Sequence, residues 1–289
     1  MSRRPLVFAL ACSLALGVLA GCGDDDVEEE AAPSTTVPRV LGLTPLTVEL
    51  VDSGTEPRQV LAHDIAEGTS WTGDLTFDLS VETVTTVAIE GESHLDTESV
   101  GPDGSVTAGY GLVGLDVSAQ SSDPALPPQE GTLDITGRVV VGPDRTATAA
   151  TVSTQATGDL AGIDAVAAGL DPRLSSLLFP FPSEPIGDGA EWEITGPLPL
   201  FGTGVELAAR ARLDHRRGGR FAVVVTLSLT TPEGQDGPQI DLDGFGEIDG
   251  DVGSLGPSLG SVVTSGGIVL PDRGLDPLPM TLELRIEGQ

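Results

Sequence analysis

The chain has 289 residues, with 14 Arg, no Lys and 44 Asp or Glu, so its formal net charge is −30. Such a negative surface repels nucleic acid and anionic lipid headgroups at long range, which argues against DNA or RNA as a partner. Aromatic residues make up only 3 % of the chain. That is too few for a platform that stacks sugars or bases.

The first residues have the layout of an export signal. Arg3 and Arg4 precede an apolar run, 6–18, that is too short to cross a bilayer as a helix. The run ends in Leu19-Ala20-Gly21-Cys22, which resembles the lipobox of bacterial lipoprotein signal peptides. The resemblance implies a signal peptide over residues 1–21 and a diacylglycerol on the Cys22 thiol, which would hold the chain at the outer face of the cell membrane. The paired arginines leave open whether export uses the general or the twin-arginine route.

Cleavage at this site leaves Cys22 as the only cysteine of the mature chain, with twelve Arg against 44 acidic residues and a charge of about −32. A lipidated thiol can form neither an intramolecular disulfide nor a thiolate metal cluster, and we expect no metal and no cofactor. Residues 22–45 are acidic and Pro-rich and predict a disordered tether, with an acidic cation-binding tail as the alternative. The remaining residues, 46–289, form one β domain or two related halves that divide near 156–190.

Alternation of apolar and polar residues dominates the β domain. Runs such as 75–81 and 280–286 place apolar residues on one face of a strand and polar residues on the other. The segments 205–213 and 221–229 alternate on either side of Gly218-Gly219, which predicts a hairpin. The predicted fold class is therefore mainly β, a curved antiparallel sheet in the form of a partial barrel or a sandwich.

One segment has helical spacing instead. Apolar residues recur there at intervals of three and four, at Leu160, Ile163, Ala167 and Leu170. Asp171-Pro172 then has the N-cap and first-turn pattern of a second short helix, which carries Leu174. We expect one short helical insertion, at about 159–178, that packs on the sheet; a mobile lid is the alternative.

The segment from Phe179 to Trp192 contains Pro-Ile-Gly-Asp-Gly-Ala-Glu-Trp after a Pro-rich stretch. It resembles a phrase in a family of secreted bacterial proteins and lipoproteins of unknown function, in which a Trp after a Gly turn begins a strand. The segment from Glu67 to Trp71 is a weaker internal repeat of this pattern, because a Gly again shortly precedes a Trp. The absence of Lys and the abundance of Ala, Gly, Asp, Val and Arg fit a GC-rich, actinobacterial source. The layout is also similar to mycobacterial lipoproteins that carry lipids in a half-open β barrel, a similarity that implies lipid binding but identifies no lining residue.

Gly256-Pro257-Ser258-Leu259-Gly260 matches the G-x-S-x-G pattern of a nucleophile elbow. That turn needs a strand before it and a helix after it, and no helical pattern follows Ser258. The only histidines, His63, His94 and His215, all precede the serine, whereas the hydrolase order places the base after it. We expect no catalysis at Ser258 and no enzyme.

The densest acidic cluster outside the tether lies within 241–251. Its acidic residues are Asp241, Asp243, Glu247, Asp249 and Asp251, which alternate with Ile240, Leu242 and Ile248. The fifth and twelfth positions of a calcium loop fall on Phe245 and Val252, which are not oxygen ligands. We expect the solvated face of a strand, with a calcium site as the alternative.

A basic cluster surrounds the predicted hairpin turn and consists of Arg210, Arg212, Arg216, Arg217 and Arg220. Guanidinium groups suit phosphate, so this cluster could contact headgroups or an acidic wall polymer. In so acidic a chain, we expect instead that Arg210 and Arg212 lie on the solvent face and pair with acidic strands.

The expected function is that of a non-catalytic cell-envelope lipoprotein that binds or carries an apolar or amphiphilic envelope molecule. The alternative is a passive envelope scaffold or protein-interaction module with no small ligand. We expect the ligand between the helical insertion and the concave face of the sheet, because an element must bridge the inward apolar rows there. The expected lining residues are Phe77, Leu79, Leu160, Ile163, Leu174, Val225 and Leu227.

Overall fold

The computed structural model describes residues 34–35, 39–41, 43–82, 84–122, 127–158, 173, 177–200, 203–235, 237–269 and 276–289. Fourteen strands within these residues form a single antiparallel sheet, which confirms the prediction of a mainly β fold. In this part of the chain, no helix is both long and apolar enough to cross a membrane.

The first half of the chain contributes a meander of five long strands, preceded by three short ones. These are β1 (Ser34–Thr35), β2 (Arg39–Leu41), β3 (Thr47–Asp52), β4 (Ser70–Val81), β5 (Thr85–Val100), β6 (Val106–Ser121), β7 (Gln129–Val141) and β8 (Ala147–Ala156). Each strand from β4 to β8 pairs with the next. Both β1 and β2 pair with β8, so part of the segment assigned to the tether, 22–45, belongs to the sheet.

The second half contributes a meander of six strands. These are β9 (Glu191–Leu200), β10 (Thr203–Arg217), β11 (Arg220–Thr230), β12 (Gln239–Asp251), β13 (Leu259–Val269) and β14 (Leu278–Gly288). The predicted hairpin is confirmed: β10 and β11 pair around Gly218-Gly219, with Ala209 opposite Leu227. The last strand, β14, pairs with β4 and thereby joins the two meanders, while β3 pairs with β9 at the far edge.

The sheet curls strongly, although no pairing between described strands closes it. Strand β6 lies eight places from β9 in the strand order, which in a flat sheet would separate them by about 38 Å. Leu112 and Leu115 of β6 nevertheless line the same cavity as Leu200 of β9. The inward faces of the two meanders therefore face each other, and the core lies between them.

The curled sheet has two distinct ends. We call one the Trp end, because Trp71 and Trp192 lie there, at the beginnings of β4 and β9. The indole of Trp71 donates to the Pro257 carbonyl at 3.0 Å, and that of Trp192 donates to the Pro180 carbonyl at 3.2 Å. We call the opposite end the tether end, because β1 pairs there with the last residues of β8. The described chain thus begins at the tether end.

A segment between β3 and β4, residues 53–69, crosses the Trp end. Its main chain bonds to loops of both meanders: His63 N to the Pro143 carbonyl, and Asp64 N to the Val252 carbonyl. Gln59 forms an isolated bridge with Ile186. Leu61 of the same segment is buried in the core. This segment closes the Trp end.

The predicted helical insertion falls mostly outside the described residues. Of the range 159–178, the structure describes Arg173, Leu177 and Leu178, and all three are buried. The Arg173 Nη1 donates to the Thr44 carbonyl at 2.8 Å, and its Nη2 donates to the Pro197 carbonyl at 3.3 Å. The end of this segment therefore packs inside the sheet, while its helices stay a prediction.

Candidate functional site

An apolar cavity lies between the two meanders. The first meander contributes Leu75, Phe77, Ile89, Leu112 and Leu115 to its wall. From β9 to β11 come Leu200, Leu207, Leu227 and Leu229, and from β13 and β14 come Val262, Thr264, Leu282 and Leu284. Phe179, in the segment between β8 and β9, completes the described lining. Because Leu200 and Leu229 are near the tether-end limits of their strands, the cavity extends from the middle of the sheet towards that end.

The cavity is narrow. Its volume, counted as the space open to the centres of water molecules, is about 60 Å³. One water molecule needs roughly 10–15 Å³ on this measure, and an engineered apolar cavity of about 150 Å³ binds benzene. A wall of aliphatic and aromatic side chains keeps such a space dry. In this conformation the cavity has room for a thin apolar group, and a larger one must push the wall side chains apart.

Glycine on β12 helps to leave this space open. Gly244 lies on the inward face, opposite Leu227 of β11 and Thr264 of β13. A Cβ added to Gly244 would come within 2.3 Å of the Val263 carbonyl oxygen. The position therefore requires glycine, and β12 adds no side chain to the wall between Leu227 and Thr264.

Thr264 is the one polar residue among the described lining residues. Its exposed fraction is 1 %, and its Oγ1 has no hydrogen-bond partner among the described residues. Its methyl group, Cγ2, lies over Gly244, 2.7 Å from where a Cβ on that glycine would be. Thr264 could not be found from the sequence, because one Thr in an alternating strand has no distinguishing signal.

The structure places the residues expected to line a ligand site in three groups. Phe77 and Leu227 are in the cavity wall. Leu79 and Val225 are buried next to them but do not line the cavity. The other three, Leu160, Ile163 and Leu174, lie outside the described residues.

A buried arginine holds the Trp end together. Arg145, in the turn between β7 and β8, has an exposed fraction of 2 %. Its guanidinium lies 5.5 Å from the centre of the Phe181 ring and 5.6 Å from that of Phe221. It donates to the carbonyls of Ser254, at 3.4 Å, and Leu255. Burial lowers the pKa of Arg145 to about 10, so the side chain is charged at neutral pH.

His63 is next to this arginine in the closing segment. Its Nε2 is 2.9 Å from the Gly104 carbonyl oxygen, whereas its Nδ1 is buried with no partner among the described residues. Burial is the largest influence on this imidazole and lowers the pKa of His63, and the charge of Arg145 acts in the same direction. The Gly104 carbonyl acts in the opposite direction but does not outweigh burial, so the imidazole is neutral at pH 7.

Ser258 does not lie on a strand-turn-helix elbow. It is exposed, and it is followed by a strand, β13. The residues before it pack on Trp71: a Cβ on Gly256 would lie 2.1 Å from the indole ring, and Pro257 accepts the indole N–H. The G-x-S-x-G pattern here corresponds to a turn that supports Trp71.

The acidic cluster lies on β12 as the alternation predicts. Asp241, Asp243, Glu247 and Asp249 are exposed, whereas Ile240, Leu242 and Ile248 are buried. Among the described residues, no group of three or more acidic, His or Cys side chains is arranged to hold a metal ion.

Within the described part of the chain, two arginines of the basic cluster form ion pairs and the other three do not. Arg210 donates to Glu191 of β9 from Nε at 3.1 Å, as expected of an arginine that pairs with an acidic strand. Arg212 instead pairs with Asp214 of its own strand, at 3.3 Å. Arg216, Arg217 and Arg220 are at the hairpin turn, which belongs to the Trp end.

No protein-family model, curated protein or solved structure matches the chain.

Proposed function

We propose that the chain is a carrier of apolar molecules, held at the outer face of a cell membrane by a lipid on Cys22. The observation that supports this function best is the apolar cavity between the meanders. Its described wall consists of aliphatic and aromatic side chains apart from Thr264, a composition typical of sites that bind apolar ligands. Such a site needs no catalytic group, which agrees with a non-catalytic role.

The position of the cavity relative to the N-terminus supports the same function. The cavity extends towards the tether end, where β1 begins at Ser34. Eleven residues lie between Cys22 and Ser34, so the two residues are at most about 40 Å apart. A lipid on Cys22 would therefore bring the tether end near the membrane. An apolar molecule could then pass between the bilayer and the cavity with little exposure to water.

The open sheet offers a way for the cavity to widen. The meanders are joined by the β4 and β14 pair, by loop contacts at the Trp end such as that of Arg145 with Leu255, and by the short connection from β2, which pairs with β8, to β3, which pairs with β9. A small rotation of one meander against the other about these contacts would separate the cavity walls at the tether end. Hinge motion of this kind usually occurs in microseconds to milliseconds.

A matched pair of neighbouring residues tests the proposal. Val262 is in the cavity wall, whereas Val263 is on the opposite face of β13. We would titrate the full-length Cys22→Ser chain with dodecane and follow uptake by native mass spectrometry. Val262→Phe should lower the affinity at least about tenfold because the larger ring fills the narrow cavity, while Val263→Phe should leave it unchanged. Absence of uptake by the unsubstituted cavity would contradict the carrier function and favour the passive scaffold.

A further inference from the structure

We infer that the molecule carried is neutral and has one hydrogen-bonding group, and that this group pairs with Oγ1 of Thr264. The inference rests on the proposed function and specifies its ligand. A long-chain ester or ketone fits this description. A fatty-acid anion does not.

The hydroxyl group of Thr264 is the observation that points to a ligand with a hydrogen-bonding group. The residue is almost completely buried, and its Oγ1 is without a hydrogen-bond partner among the described residues. Buried hydroxyl groups are normally paired, because an unpaired one loses its bonds to water and gains nothing in exchange. A trapped water is a poor substitute in this cavity, since a stable buried water needs two to four polar partners and the described wall offers one side chain.

The main-chain groups next to Thr264 already have hydrogen-bond partners in the sheet. Thr264 is paired with Gly244 on one side and with Leu282 on the other, in the middle of the β12, β13 and β14 ladders. The carbonyl and amide groups around it are thus engaged in sheet hydrogen bonds. A ligand acceptor in the cavity is the partner that the hydroxyl can still reach.

The wall also determines the charge of the ligand. No described lining residue is charged, and Thr264 supplies a single hydroxyl donor. An ionised carboxylate would lose its hydration there and regain one hydrogen bond, which makes its burial unfavourable. An ester or ketone oxygen has far less hydration to lose, and one donor is enough to satisfy it.

The experiment compares three probes on three variants of the full-length Cys22→Ser chain. The probes are dodecane, methyl dodecanoate and, at pH 8, dodecanoate. Thr264→Val removes the hydroxyl at nearly constant volume, and Thr264→Ser retains it. Thr281→Val is the control, because Thr281 is exposed on the neighbouring strand β14. Thermal unfolding of each variant without probe shows that it is folded.

We expect Thr264→Val to weaken binding of methyl dodecanoate about fivefold, the effect of one hydrogen bond, while its affinity for dodecane stays unchanged. Thr264→Ser and Thr281→Val should retain the ester affinity. Dodecanoate should bind at least about tenfold more weakly than its methyl ester. Equal losses of ester and alkane affinity in Thr264→Val, or dodecanoate binding as tight as the ester, would overturn the inference and leave the carrier function standing. If the unsubstituted cavity binds none of the three probes, the carrier function itself is contradicted.

Discussion

Arg145 provides a sharp test of how the Trp end is held together. Its guanidinium donates to two main-chain carbonyls and lies over two rings, while its burial lowers its pKa from 12.5 to about 10. Each charge-assisted hydrogen bond contributes about 2 kcal/mol, and each desolvated cation–π contact about 1–2 kcal/mol. The lowered pKa corresponds to a desolvation cost of roughly 3 kcal/mol. The contacts outweigh the cost by about 4 kcal/mol.

Replacement of Arg145 by Met keeps an unbranched side chain of similar length but leaves the Ser254 and Leu255 carbonyls without their donor. Met recovers part of the loss by its own burial, so we expect the free energy of unfolding to fall by about 2–3 kcal/mol. Urea unfolding followed by tryptophan fluorescence measures this directly. Arg210→Met is the control, because its exposed ion pair contributes less than about 1 kcal/mol. An Arg145→Met variant as stable as Arg210→Met would show that the desolvation cost cancels the contacts of Arg145.

Three further predictions concern other parts of the chain. Cys22→Ser should move the protein from the membrane fraction to the soluble fraction with its unfolding temperature unchanged; retention after a high-salt wash would mean that the lipid anchor is misassigned. The pKa of His63 is lower when folded than its ordinary value of 6.5, so the unfolded state takes up the proton first. Stability should fall as the pH drops through 6.5, and His63→Gln should remove that part of the dependence; an identical pH profile in the variant would contradict it. Gly256→Ala forces a methyl group into the Trp71 ring and should cost about 1–3 kcal/mol, whereas Gly204→Ala, with its nearest atom at 3.5 Å, should be far milder.

The strands were predictable because their signal is local. Alternation in 75–81 and 280–286 determines which face of each strand is buried, and Gly218-Gly219 determines where the hairpin turns. Pairing of β1 and β2 with β8 was not predictable. Composition in that region favours a tether, and the partner strand lies more than a hundred residues away in the chain.

The candidate site was only partly predictable, because a cavity depends on how distant strands face each other. Phe77 and Leu227 follow from the rule that apolar strand residues point inwards. That rule cannot separate residues that line an empty space from Leu79 and Val225, which are simply buried. Nor can it find Arg145, since charged residues are normally exposed and its cation–π contacts join residues far apart in the chain.

The proposed cargo of the cavity is a neutral apolar molecule. Native mass spectrometry of the full-length Cys22→Ser chain, produced in its own host and purified without detergent, tests this most directly. We expect a species heavier than the chain by one neutral lipid, which organic solvent extracts, and we expect Val262→Phe to lack that species. A single unliganded mass, together with no uptake of dodecane or methyl dodecanoate, would mean that the chain is not a carrier.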